Sequence, residues 1–213
     1  KDTDSTFFGI ATLQMMLTSY EDPALRSVQI EDFSDIQYRG FIEGFYGGWD
    51  YKSRESLMRF ARDVKMNHYI YASKTDPYHT SKWGELYPQS EIDQIQKLVK
   101  VGEETKCYYT WSVHISGFFT NLDTSNETAY NERYQKLLAK FRQLYDAGVR
   151  KFDILNDDFG QGTHEDVVNL LNKLTKEFII PNNCKPITYC MQGYNKAWSK
   201  EAELSALKKL DKS

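Results

Sequence analysis

The sequence predicts an α/β fold, a partial (β/α)8 TIM-type barrel of about five βα units preceded by the tail of a smaller α/β domain. Three observations predict it. From Arg39 onward, short apolar, β-branched or aromatic runs alternate with amphipathic helical stretches. Nearly every predicted strand ends in a polar or glycine cluster, and before Arg39 the pattern changes.

The predicted strands are Gly40–Phe45, His68–Ala72, Cys107–Val113, Lys151–Leu155 and Pro186–Cys190. Helical faces lie between them: Leu57, Phe60, Ala61 and Val64; then Ile92, Ile95, Leu98 and Val99; then Leu137, Leu138, Phe141 and Leu144. A fourth face, Val167, Val168, Leu171, Leu174 and Phe178, starts at an N-cap Thr163 with Asp166 three residues on, and Ser90 with Asp93 repeats that start signal. A last helix runs from Ser199 to about Lys209. Ahead of Arg39, Phe8–Tyr20 reads as a helix with Ile10, Leu13, Met16 and Leu17 on one side, and Ser27–Ile30 as a strand. The division expected is therefore 1–37 for the end of a preceding domain and 38–213 for the front of a barrel.

Parallel strands joined by helices fit either a doubly wound sheet or a barrel, and the strand ends decide between them. They carry Glu43, Gly44 and Tyr46; Lys74 and Asp76; Ser112 and His114; Asn156, Asp157 and Asp158; Gln192 and Tyr194. A doubly wound sheet gathers its site at one switch point, whereas a barrel draws on successive strand ends. Five strands are three too few for closure. With Lys1 in place of an initiator methionine, the chain is expected to be cut from something longer, with further domains in the parent.

Composition narrows the partners. A 213-residue chain with 40% hydrophobic residues fills a real core. Its net charge of −3 offers no basic field to nucleic acid, and no apolar run approaches the roughly 20 residues that a bilayer span needs. Cys107, Cys184 and Cys190 lack paired short spacing, so they read as small buried hydrophobes rather than zinc ligands or a disulfide framework. Aromatic residues make up 15%, including 15 Tyr and 4 Trp, and flat rings with polar tips suit sugars.

Asp157 and Asp158 follow the apolar stretch Phe152, Ile154, Leu155, which places two carboxylates at the mouth of a buried strand. Two like charges so close do not both ionise freely, so one is expected to hold its proton and serve as a general acid. The pair could equally cap a helix or ligate a divalent metal. Phe159 and Gly160 complete an Asp-Phe-Gly triplet, but no glycine-rich loop or His-Arg-Asp loop precedes it, so the kinase reading falls. Ordinary glycosidases hold two carboxylates at least about 5 Å apart across the scissile bond, which adjacent residues do not easily do. Substrate-assisted chemistry removes that difficulty, because the 2-acetamido oxygen of the sugar itself attacks the anomeric carbon.

Arg39-Gly-Phe-Ile-Glu-Gly-Phe-Tyr-Gly47 with Trp49, then Tyr71-Ala-Ser-Lys-Thr-Asp-Pro-Tyr-His79, then Asn156-Asp-Asp-Phe159 resemble the three signatures of family 84 glycoside hydrolases, which include O-GlcNAcases and bacterial enzymes labelled hyaluronidases. The resemblance implies a retaining exo-β-N-acetylglucosaminidase acting on β-linked GlcNAc of glycoproteins or glycans through an oxazoline intermediate, without metal or cofactor, in a secreted bacterial protein. It implies that Asp157 orients the acetamide and Asp158 is general acid and then base. It likewise implies that the Gly44 carbonyl, Lys74 and Tyr194 bind the sugar.

The chain also departs from the family. It lacks a proline before Trp49, reads Ser73-Lys-Thr-Asp76 where Pro-Lys-Asp-Asp is usual, and reads Cys190-Met-Gln-Gly-Tyr194 where Cys-Pro-Thr-Glu-Tyr is usual. Val113-His-Ile-Ser-Gly117 lacks the usual proline too. The family's asparagine and aspartate contacts to the far hydroxyls come from later strands. Two alternatives stand beside the enzyme: a relative that binds carbohydrate without turnover, and a metal-dependent barrel enzyme using the Asp pair. His79 and His114 read as structural or lining histidines, and Asn126-Glu-Thr128, a formal glycosylation site, reads as a helix N-cap.

Overall fold

In the computed structural model, residues 3–18, 27–158 and 161–211 are described. Among these residues five strands, β1 (Gly40–Glu43), β2 (His68–Tyr71), β3 (Tyr108–His114), β4 (Phe152–Leu155) and β5 (Thr188–Cys190), form one sheet in the order β1-β2-β3-β4-β5. Every neighbouring pair is parallel. A doubly wound sheet reverses direction at its switch point; strictly sequential order is the winding of a barrel. The helices are α1 (Thr3–Thr18), α2 (Tyr51–Asp63), α3 (Gln89–Thr105), α4 (Ser116–Phe119), α5 (Glu127–Asp146), α6 (His164–Leu174) and α7 (Glu201–Leu207). One π-helical turn, Thr175–Ile179, extends α6.

Local chemistry sets the helix starts. Asp50 accepts from the Ser53 amide ahead of α2, and Asn126 accepts from the Ala129 amide ahead of α5, as its sequence position suggested. Thr163 and Asp166 form the expected capping box of α6. The start expected at Ser90 is corrected: α3 begins at Gln89 with Pro88 as cap, because Pro88 fixes the extended backbone from which the helix departs. Ser90 then falls inside the first turn, where it makes no cap bond.

The two faces of the sheet differ in kind. Tyr69, Tyr109, Trp111, Phe152 and Ile154 are buried against Met58, Ile95, Leu137, Phe141 and Phe178 from the helical layer. Trp111 meets Phe141 edge-on at 5.8 Å, and Phe141 stacks on Phe152 at 4.6 Å. Alternation along the strands sends Ile42, Thr110, Ser112, His114, Asp153, Leu155 and Cys190 to the other face, the lumen side of the curve. On α2 the buried pair is Met58 and Ala61, while Phe60 and Val64, expected inward, are exposed.

The segment ahead of β1 departs most from expectation. Among the described side chains of α1 only Ala11 is buried, whereas Ile10, Leu13 and Leu17, expected on a buried face, are exposed. Polar contacts hold the helix instead: Asp4 accepts from the Tyr108 hydroxyl at 2.9 Å, and Lys65 donates to the Thr12 hydroxyl at 2.6 Å. Tyr20 lies outside the described residues. Ser27–Ile30 is not a strand: it pairs with no ladder, and Val28 and Ile30 stay exposed because no sheet edge reaches them.

Candidate active site

The carboxyl end of β4 is pinned from both sides. Ile115 donates to the Leu155 carbonyl at 3.0 Å, and Asn156 donates to the Cys190 carbonyl at 3.0 Å. Asp157 and Asp158 follow immediately, and Asp158 adopts a left-handed backbone with φ 55, rare for a residue with a side chain. That turn separates the two neighbours. Asp157 keeps a side chain only 20% exposed, while Asp158 stands in solvent. Phe159 and Gly160 lie outside the described residues.

Asp157 Oδ1 and Asn156 Oδ1 are buried with no hydrogen-bond partner among the described residues. Buried acceptors are seldom left without a donor. The His114 Nε2 atom lies 3.7 Å from Asp157 Oδ1, too far for a hydrogen bond. An acceptor poised and empty at a strand mouth can receive an N–H from a ligand.

Lys74, Cys190 and Tyr194 share the field of these acids. Burial first, then the negative charges of Asp157, Asp153 and Asp158, push the Cys190 thiol up to about 11, while Lys74 opposes them. Partial desolvation and then Asp158 and Asp157 raise the phenol of Tyr194, whose ring is 50% exposed and meets Trp198 edge-on at 5.2 Å. Lys74 has no ion-pair partner among the described residues. Gly44 is exposed, and a Cβ there would make only ordinary contact, at 3.7 Å from Ile42. The fold itself does not demand glycine at 44, in contrast to Gly40, whose Cβ would fall 1.7 Å from the His68 carbonyl oxygen.

Other strand-end groups read as part of this cluster are not in it. Glu43 is fully buried on the helical side; it accepts from Arg54 at 2.8 and 2.9 Å, from the Tyr69 hydroxyl and from the Trp49 amide. Burial alone would raise its pKa, but Arg54 and Tyr69 outweigh that and hold it below the usual carboxylate value. Asp76 accepts from the hydroxyls of Tyr71 and Tyr87 and caps the short turn Pro77–His79. His79 is buried on the Ser112 carbonyl, and burial lowers its pKa to about 4.

Two acids escaped the sequence reading. Glu203, 2% exposed on α7, accepts from the Gln192 and Gly193 amides and so holds the loop that carries Tyr194. Asp153 is buried on the lumen side beneath Asp157 and accepts from the Thr188 hydroxyl at 2.7 Å; burial raises its pKa to about 6. An acid inside the apolar run Phe152-Asp153-Ile154-Leu155 was a signal that could have found it.

Among the described residues a cavity of about 1150 Å³ lies elsewhere, between α1 and the amino ends of the strands beside Lys151 and Tyr108. The acids sit at the opposite end.

A sequential parallel sheet with a buried, unpartnered carboxylate oxygen at the carboxyl end of its fourth strand is part of a (β/α)-barrel, with the candidate site on its C-terminal face. Residues 39–213 match the family described as beta-N-acetylglucosaminidase. The chain belongs to that family, which bears out the resemblance to family 84 glycoside hydrolases. The protein CpGH84D superposes with a TM-score of 0.89 at 36% identity, covering 99% of this chain and 36% of that one. CpGH84B gives 0.73 at 33% identity, covering 83% and 32%. A mutant of the Thermobaculum terrenum O-GlcNAc hydrolase, 24% identical with a TM-score of 0.70 over 83% of this chain and 39% of that one, shares the fold. The Protein O-GlcNAcase of Rattus norvegicus and that of Mus musculus are each 29% identical over 120 residues, 56% of this chain and 12% of theirs. The chain thus spans a minor part of the length of every relative named.

Proposed function

We propose that these residues form part of the active site of a retaining exo-β-N-acetylglucosaminidase that works by substrate assistance. The observation that carries the reading is the buried, unpartnered Asp157 Oδ1 beside a solvent-facing Asp158 set apart by a left-handed turn. Asp157 accepts the acetamido N–H and turns the acetamido oxygen toward the anomeric carbon. As that oxygen bonds to the carbon, the glycosidic C–O bond breaks, and Asp158 gives its proton to the leaving oxygen. Water then opens the oxazoline, with Asp158 taking the proton back, so two displacements leave the anomeric configuration retained. Lys74 and the Gly44 carbonyl bind sugar hydroxyls, and Tyr194 donates to the acetamido oxygen. The substrates proposed are β-linked N-acetylglucosaminyl glycans or glycoproteins.

Among the described residues no three His, Cys, Asp or Glu side chains converge, so they offer no closed structural zinc-type site, and an ion held by the Asp pair would be completed by water or substrate. The test is hydrolysis of an aryl β-N-acetylglucosaminide by the whole protein, with and without EDTA, following the product anomer by NMR. Retention unaffected by chelation is expected, together with no cleavage of the corresponding 2-deoxy glycoside. Loss of activity on chelation would favour the metal enzyme, and saturable binding of GlcNAc without turnover would favour a binding relative.

A further inference from the structure

We infer that His114 is a positioning residue for the Asp157–Asp158 turn, an inference that rests on the function just proposed. The argument starts where the ladder between β3 and β4 stops. In a parallel ladder alternate carbonyls of one strand face the same neighbour, so after the Leu155 carbonyl, taken by the Ile115 amide, the Asp157 carbonyl is next in line. The amide that would have met it is gone, because the chain bends into α4 at Ser116. A carbonyl left there without a donor would carry a desolvation penalty and free the turn to move. His114 Nε2 takes the place of the missing amide, 3.0 Å from the Asp157 oxygen.

The hydrogen bonds of the ring fix its tautomer. The backbone amide of Ser116 donates to His114 Nδ1 at 3.3 Å, so Nδ1 carries no proton, and the Ser116 hydroxyl lies 2.9 Å from the same atom. The proton therefore sits on Nε2, where it is given to the Asp157 carbonyl. The ring is only 7% exposed, which locks it between α4 and β4. The peptide it grips is the one that joins Asp157 to Asp158, and on that peptide depends the left-handed backbone that sends the two carboxylates to different tasks. Neither Asp157 Oδ1, at 3.7 Å, nor any substrate atom needs to touch the ring.

The test uses the whole protein, an aryl β-N-acetylglucosaminide series of differing leaving groups, and nitrogen-15 NMR of the ring. His114→Phe is expected to lower kcat about a hundredfold, as a misplaced reacting group does, with KM changed less than about threefold. The loss should be alike for good and poor leaving groups, since the turn serves the acetamide step as well as the proton. His114→Gln, whose side-chain amide can reach the Asp157 carbonyl, should restore kcat to within about fivefold of the unsubstituted protein. In the unsubstituted protein the ring should show a bare Nδ1 and a protonated Nε2.

A folded His114→Phe protein with kcat within about twofold of the original overturns the inference, as does a Gln variant no better than Phe. The opposite tautomer overturns it regardless of how the variants fold. If the unsubstituted protein hydrolyses nothing, the functional reading fails, and the ring spectrum alone then decides whether His114 holds the turn.

Discussion

Glu43 and Asp157 are both acids at the carboxyl ends of strands, one at β1 and one just past β4, yet they stand in opposite conditions. Glu43 faces the helices, has no exposure, and spends both oxygens on Arg54, Tyr69 and the Trp49 amide. Asp157 faces the lumen and keeps a buried oxygen with no partner among the described residues. Position along a barrel strand therefore does not by itself leave an acid open to a ligand; the side of the sheet it faces, and whether its lone pairs are already used, decides that. Glu43 ties α2 to the sheet, whereas no described residue donates to Asp157 Oδ1.

The largest expected effect separates the two acids at the mouth. Asp157→Ala should lower kcat for every glycoside about 10³-fold, because in the proposed mechanism the attack of the acetamide is what displaces every leaving group, whether or not that group needs a proton. Asp158→Ala should do comparable harm only to substrates whose leaving group needs a proton, and little to activated aryl glycosides. Equal losses across the series for Asp158→Ala would remove it from the acid role.

Next in size is Glu43→Gln, which strands the Arg54 guanidinium, itself mostly buried, without its counter-charge. A cost of about 3 kcal/mol in denaturant unfolding is expected, as for a buried pair broken on one side. A variant as stable as the parent but with altered kcat would place Glu43 in the site after all.

Asp153 offers a smaller and pH-dependent contrast. Its folded pKa, raised by burial from 3.8 to about 6, lies above the unfolded value, so its protonated form favours the folded state and stability is lost as pH rises from about 4 to about 6. Asp153→Asn keeps the acceptor for Thr188 and should be about 2 kcal/mol more stable than the parent near pH 7, with the difference vanishing near pH 4. His68 and His79, both lowered to about 4 by burial, act in the opposite sense over this window, so the difference between the two proteins is the quantity to follow. Equal stability at both pH values would show that burial of Asp153 carries no such penalty.

Smallest are Lys74→Ala and Tyr194→Phe. Each should lower kcat/KM about tenfold while leaving Tm unchanged, because Lys74 has no ion-pair partner among the described residues and the Tyr194 ring is half exposed. A marked fall in Tm for either would return that residue to the fold.

The strands were legible because each is an apolar run bounded by polar or glycine residues, and their limits shifted by only one or two positions. Asp157 and Asp158 were legible because two acids end such a run. What pattern could not show was the side to which each strand-end group turns. Glu43 looked like Asp157, and Asp76 looked like Lys74, until the register assigned them to Arg54 and to the tyrosines. Glu203 was hidden because an acid on a short helix looks solvated until a loop amide is found above it. Ser27–Ile30 misled for the converse reason: β-branched residues make a strand only where a neighbour offers its free edge.

The sequential strand order has a consequence for how the protein is made. Among the described residues no ladder joins strands that are not consecutive in the chain, so each of these strands after the first finds its partner already synthesised and waiting. The sheet can lengthen in step with the ribosome, one βα unit at a time. Its growing rim is always the last strand emitted. The turn at the end of β4 gains the Cys190 carbonyl that pins Asn156 only when β5 arrives, so the candidate site is set one unit later than its two acids are made.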